Sequence, residues 1–230
     1  MKKIILTIIP VLIFTPSFVF ADDVFFPSKK GMILTTANFN AKGKLEGYIR
    51  MSVKNVTGSS DNGTIVYTVQ ALDKKMHPEK PKEAPPQYVA PITGGVIEIS
   101  MEPWAALAGG KDIQITGTQM VMPSKLAPGD KIPDSNVSMS MNMTVGKVTA
   151  DVATTGQKCV GVETVTVPAG TFECRKIERK SVTVANMVVN ITRVDKSTVW
   201  YARGVGAVKS LTYDEKGKLK SSSELHELAR

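Results

Sequence analysis

The chain reads as an all-β protein: a single antiparallel, strongly curved sheet forming an open or flattened barrel, with very little helix. Three observations predict it. Apolar and polar residues alternate with a period of two along most of the chain, turn-forming residues interrupt that alternation at short intervals, and only one short segment has helical character. Strict alternation sends one set of side chains to a core and the other to water, as in an antiparallel sheet covered on one face.

The N-terminus is read apart from this pattern. Lys2 and Lys3 precede a mostly apolar run from Ile4 to Phe14, and Val19-Phe20-Ala21 supplies a small residue at a cleavage position. These are the parts of a secretory signal peptide spanning 1–21, cleaved after Ala21. Pro10 and Pro16 interrupt the run and Asp22-Asp23 end it, which argues against a retained membrane span. The expected body, 22–230, is one exported β-barrel-like domain. The short two-lysine leader suits a bacterium, so the expected location is the periplasm.

Along the body, Leu45, Gly47, Ile49, Met51 and Val53 alternate with Glu46, Tyr48, Arg50 and Ser52. Ile65, Tyr67, Val69 and Ala71 repeat the pattern, as do Ile97, Ile99 and Met101. The clearest run sets Val137, Met139, Met141, Met143 and Val145 against Asn136, Ser138, Ser140, Asn142 and Thr144. About ten strands are expected at this spacing. Residues 40–43, 59–63, 94–95, 168–170 and 214–217 carry Gly, Asn, Asp and Pro and read as hairpin turns. Glu102 to Leu107 is the one helical turn, ended by Gly109 and Gly110. Residues 74–93 hold five prolines and read as an irregular surface loop.

Cys159 and Cys174 are the only cysteines. In an oxidising compartment a lone pair is expected to form a disulfide. In a tight hairpin around Pro168 to Gly170, Thr166 faces Thr171 and Cys174 faces Glu163, which leaves Cys159 roughly 13 Å further along its strand at about 3.3 Å per residue. The bond therefore requires the strand to fold back. The apolar phase slips at Glu163-Thr164, between Val160 and Val162 on one side and Val165 and Val167 on the other, and a bulge there offers the place. Without the bond, both are buried or strand-end thiols.

The formal charge of +8 is spread along the chain without a basic, aromatic-interleaved face, so a nucleic-acid partner is not expected. His77 and His226 are the only histidines, and no metal-ligand spacing, nucleophile elbow or phosphate loop occurs. No catalytic residue, metal or cofactor is expected, and the protein reads as a non-enzyme.

Residues 159–177, C-V-G-V-E-T-V-T-V-P-A-G-T-F-E-C-R-K-I, and 200–209, W-Y-A-R-G-V-G-A-V-K, resemble the TapB-like family of exported bacterial proteins. Lys30-Gly31, Pro128-Gly129-Asp130 and the C-terminal run from Leu211 to Leu225 fit the same resemblance. It implies a barrel-like or half-barrel domain shaped like the bacterial lipoprotein carriers, with no enzyme activity to transfer.

Met139, Met141 and Met143 share a face of one strand, and Met120 and Met122 align on the strand before it. Thioethers adapt to irregular apolar ligands, although such a stripe also fills a curved core. These five methionines, with Trp104 at the barrel mouth, are the candidate ligand-lining residues. Trp200 is read as a core anchor with its N–H paired. The expected function is a module holding a lipid-like or other apolar small molecule in the half-barrel. The alternative is a structural protein of the cell envelope, fully packed inside, that meets a protein partner along a sheet edge.

Overall fold

The computed structural model describes residues 24–80, 82–144, 146–186 and 189–229. The predicted leader, 1–21, lies outside them. In chain order the elements are β1 (Ile33–Asn40), β2 (Leu45–Gly58), β3 (Gly63–Leu72), β4 (Gln87–Thr93), β5 (Val96–Ile99), α1 (Glu102–Leu107), β6 (Lys111–Thr118), β7 (Met120–Pro123), β8 (Ser135–Met143), β9 (Gly146–Val167), β10 (Gly170–Asn186), β11 (Asn190–Ala202), β12 (Gly206–Asp214) and β13 (Leu219–Ala229).

All thirteen strands belong to one antiparallel sheet in the order β6-β8-β9-β10-β11-β12-β13-β1-β2-β3-β4-β5-β7. The sheet curls into a barrel that is closed but for one seam. Its two edge strands, β6 and β7, are neighbours in sequence with only Gln119 between them. The chain pairs with β8, turns at Gln119, and then pairs with β5, so it crosses the seam itself. Gly117, at φ +93°, allows that bend: a Cβ there would stand 2.2 Å from the Asn136 carbonyl oxygen.

Register shifts supply the curvature. They interrupt the pairing of β1 with both of its neighbours, β2 with β3, β9 with β10, β11 with β12 and β12 with β13. Each inserts a residue on one strand and increases the local twist, which is how a broad sheet rolls up.

The alternation holds in most of the runs read from it, but on β3 Thr68 and Leu72 are buried and Ala71 only partly so. Val53, Ile65, Tyr67, Val69, Ile97 and Ile99 are buried, and Asn136, Ser138 and Asn142 on β8 are exposed. The helical turn at 102–107 is α1. Two expectations need correction. The proline-rich loop ends at Pro86, because Gln87–Thr93 forms β4; Pro91 is accommodated where the ladder to β5 stops, at Ile92. The phase slip on β9 is not at Glu163-Thr164: Lys176 pairs with Gly161 and Ile177 with Cys159, so Val160 is the extra residue.

That bulge decides the cysteines. Cys174 faces Glu163 and Thr171 faces Thr166, as the hairpin reading requires, but Cys159 faces Ile177. The slip advances the register by one residue without folding the strand back. Three residue steps, roughly 10 Å, still separate the two positions, more than a disulfide spans. Both are buried free thiols and the predicted disulfide is absent. Their Sγ–H groups donate to the carbonyls of Gly161 and Phe172 respectively.

One end of the barrel is tightly packed. Val24, Phe25 and Phe26 belong to the same buried core as Ile65, Tyr67, Ile97 and Met122. The Phe26 and Tyr67 rings meet edge to face at 5.2 Å, and Tyr67 leans on Tyr88 at 5.8 Å. Burial, followed by the neighbouring Tyr88 and Glu102, pushes the Tyr67 hydroxyl up to about 12. Trp200 anchors the wall as expected, and its Nε1–H donates to Glu163 Oε2 at 2.7 Å.

Candidate functional site

The barrel interior is not filled throughout. Adjoining the packed end lies a cavity of about 450 Å³, within the size range of pockets for small molecules. Its apolar wall comes from inward positions of strands all round the ring: Leu34 on β1, Ile49 and Met51 on β2, Ile99 on β5, Val199 and Tyr201 on β11. They point inward because alternation leaves them no other face, and the curvature keeps opposite walls apart.

The lining also has a polar sector. Ser135, Thr154 and Ser181 lie in register across β8, β9 and β10, and the last two hydroxyls are 3.1 Å apart. Ser210 and Ser223 form a second such pair across β12 and β13, at 2.7 Å. Arg179, on β10, is the one charged residue of the lining. It donates through Nε to Ser197 Oγ at 3.3 Å and through Nη1 to Met120 Sδ at 2.9 Å. β10 and β7 are not neighbours in the sheet, so Arg179 reaches across the interior.

The predicted lining residues divide. Met120 and Trp104 are on the cavity wall, where Trp104 remains 39% exposed. Met122 is packed in the main core. Met139, Met141 and Met143 form a separate small cluster with Ala105, Ile113 and Val148. There they seat α1 on the sheet; a Cβ at Gly110 would stand 2.9 Å from the Ala105 carbonyl oxygen, so the close approach at the helix end favours glycine. These three methionines do not reach the cavity.

Sequence reasoning did not find Phe25, Phe26 or Arg179. The Val24-Phe25-Phe26 triplet directly after the predicted leader was a usable signal for the first two. Arg179 is hard to find because burial along β10 does not keep a period of two. Cys174 and Ile177, three residues apart, are both buried, and only from Ile177 onward do Arg179 and Ser181 follow on the inward face.

A second hollow, about 310 Å³, lies beside Phe25, Phe172 and Glu173. Its cations are already engaged. Arg175 donates to the Leu126 carbonyl and to Glu173, both at 3.0 Å, and Arg203 donates to the Ser124 carbonyl at 2.8 Å while covering the Phe25 ring. Among the described residues, no group of three or more His, Cys, Asp or Glu side chains is arranged to hold a metal, and no helix is long and apolar enough to cross a membrane.

The fold recurs in solved structures. One, from Bacteroides fragilis, is described as an exported protein with a YmcC-like fold. It superimposes with a TM-score of 0.72 at 25% identity, over 90% of this chain and 99% of that one. Another, described as a lipoprotein from Parabacteroides distasonis, gives a TM-score of 0.72 at 20% identity over 90% and 98% of the two chains, a likeness that speaks for the fold alone. No curated protein matches the sequence. The TapB-like resemblance is not carried by these matches, which point to a broader grouping. The model of the DUF3108-like family matches residues 29–225, from just before β1 into β13, and the chain belongs to that family.

Proposed function

We propose that this protein is an exported, non-catalytic binding module that holds a lipid-like or other apolar small molecule inside its barrel. The cavity carries the reading: about 450 Å³ of space bounded mainly by aliphatic and aromatic side chains. An empty apolar hollow forfeits packing contacts that a filled core would make, so a fold that keeps one gains stability from an occupant. Trp104, exposed on the wall, offers a flat apolar group where a ligand would enter.

Export is supported by the leader-like residues 1–21 and by the Bacteroides fragilis relative, described as exported. The periplasm is the compartment this reading assigns. A fully packed envelope protein needs no hollow, which makes that alternative the weaker one.

Native mass spectrometry and solvent extraction of the purified protein test the proposal. An amphiphile should co-purify in near-stoichiometric amount, and a fluorescent fatty acid should bind saturably after delipidation. No extracted amphiphile together with no probe binding overturns it.

A further inference from the structure

We infer that the ligand of this cavity is an anionic amphiphile, whose carboxylate or phosphate headgroup is held by Arg179. The inference rests on the proposed binding function and specifies its ligand class. Arg179 is the sole charge on the lining, and among the described residues no carboxylate forms an ion pair with it. Its partners are one hydroxyl and one thioether, and a thioether is a weak acceptor.

The carboxylate of Asp195, on the strand beside β10, is not free to help. Asp195 is the cross-strand partner of Ser181, and Lys220 bonds to its Oδ1. Arg175 and Arg203, beside the second hollow, donate to backbone carbonyls and Arg175 also to Glu173. Arg179 differs from both in facing an apolar space without an anion.

A guanidinium in that setting loses hydration without recovering a counter-charge. An anion in the cavity supplies one, and the planar fork of Arg suits both carboxylate and phosphate. Ser181, two residues along the same face, and Thr154 beside it add hydroxyls within the same sector. The apolar wall of Leu34, Ile49, Met51 and Val199 then takes the tail. A neutral hydrocarbon would leave the Arg179 charge buried against it.

The test is displacement of the neutral dye N-phenyl-1-naphthylamine from the delipidated protein at pH 8 by dodecanoate, dodecyl phosphate and dodecanol. At least one of the two anions should displace the dye at about tenfold lower concentration than the alcohol, the scale of one charge-assisted contact. Which anion does so separates carboxylate from phosphate ligands. In Arg179→Gln the preference should shrink to within about twofold with dye binding kept. It should persist in Lys180→Gln, which removes an exposed cation next door. Arg179→Lys, which keeps the charge, should retain part of it and guards against a misfolded Gln variant. Equal displacement by alcohol and anions in the wild type, or an undiminished preference in Arg179→Gln, overturns the headgroup assignment while leaving an apolar-ligand cavity standing. No dye binding at all overturns both.

Discussion

Met120 and Met122 stand two residues apart on one face of β7 and meet opposite surroundings. Met122 is 1% exposed, pairs across the sheet with Ile97 and belongs to the main buried core. Met120 borders the hollow and touches a guanidinium. The same residue type on the same strand is thus core at one position and cavity wall two residues away. What separates them is not composition but filling: Met122 lies in the buried core that includes Val24, Phe25 and Phe26, and Met120 borders the space that Phe25 and Phe26 also line. Residues of the filled core should therefore govern stability, and those of the cavity wall should govern binding.

The largest effect belongs to the filled core. Tyr67→Ala removes a ring held between Phe26 and Tyr88 and should cost about 3–5 kcal/mol, read from urea unfolding. Met120→Ala, with empty space on one side already, should cost about 1 kcal/mol, less than a fully buried methionine loses. Equal losses would erase the distinction between core and cavity wall.

Enlarging a side chain sharpens the same contrast. Val69 and Val199 are equally buried core residues, but only Val199 also borders the cavity. Val69→Phe should destabilise by about 1–3 kcal/mol through overpacking, whereas Val199→Phe should change stability by less than about 1 kcal/mol. Thermal melts of the two variants decide it.

A smaller effect sits on the outer wall. Glu163 accepts from Trp200 and pairs with Lys176, whose Nζ also lies 5.4 Å from the Trp200 ring centroid. The Trp200 hydrogen bond first, then Lys176, holds its carboxyl below the ordinary Glu value. Its contribution is present above the unfolded-state value of about 4.3 and is lost as pH falls through the lower folded value. Glu163→Gln should cost about 0.5–1 kcal/mol at neutral pH and flatten the acid limb of the stability profile.

The cysteines should have no measurable effect on the contrast, and that is itself a check. Burial pushes the Cys174 thiol up to about 11, with Glu173 and Glu163 adding to it, and raises Cys159 as well. Neither should react with Ellman's reagent until the protein is unfolded, when both should. An intact mass two daltons light would restore the disulfide.

Strand periodicity made the fold legible. Alternation survives wherever a strand has one wet and one dry face, as β4 and much of β8 do, and α1 is marked by the two glycines that follow it. The cavity was legible only in part. Methionines at alternating positions mark Met120 and those of β8 alike, yet Met120 borders the cavity while Met139, Met141 and Met143 pack under α1. Which inward residues meet a neighbour and which meet a void depends on how far the sheet curls. That is set by register slips such as Val160, and a slip leaves no composition of its own. Arg179 is hidden because a basic residue at an inward position reads in sequence as an ordinary solvent-facing strand residue.

The most direct measurement is a titration of wild type and Val199→Phe with N-phenyl-1-naphthylamine, alongside their melting temperatures. A hollow that serves as the binding site predicts saturable binding by the wild type, at least tenfold weaker binding by the filled variant, and melting temperatures within a few degrees of each other. Equal binding by the two proteins at equal stability would contradict the account.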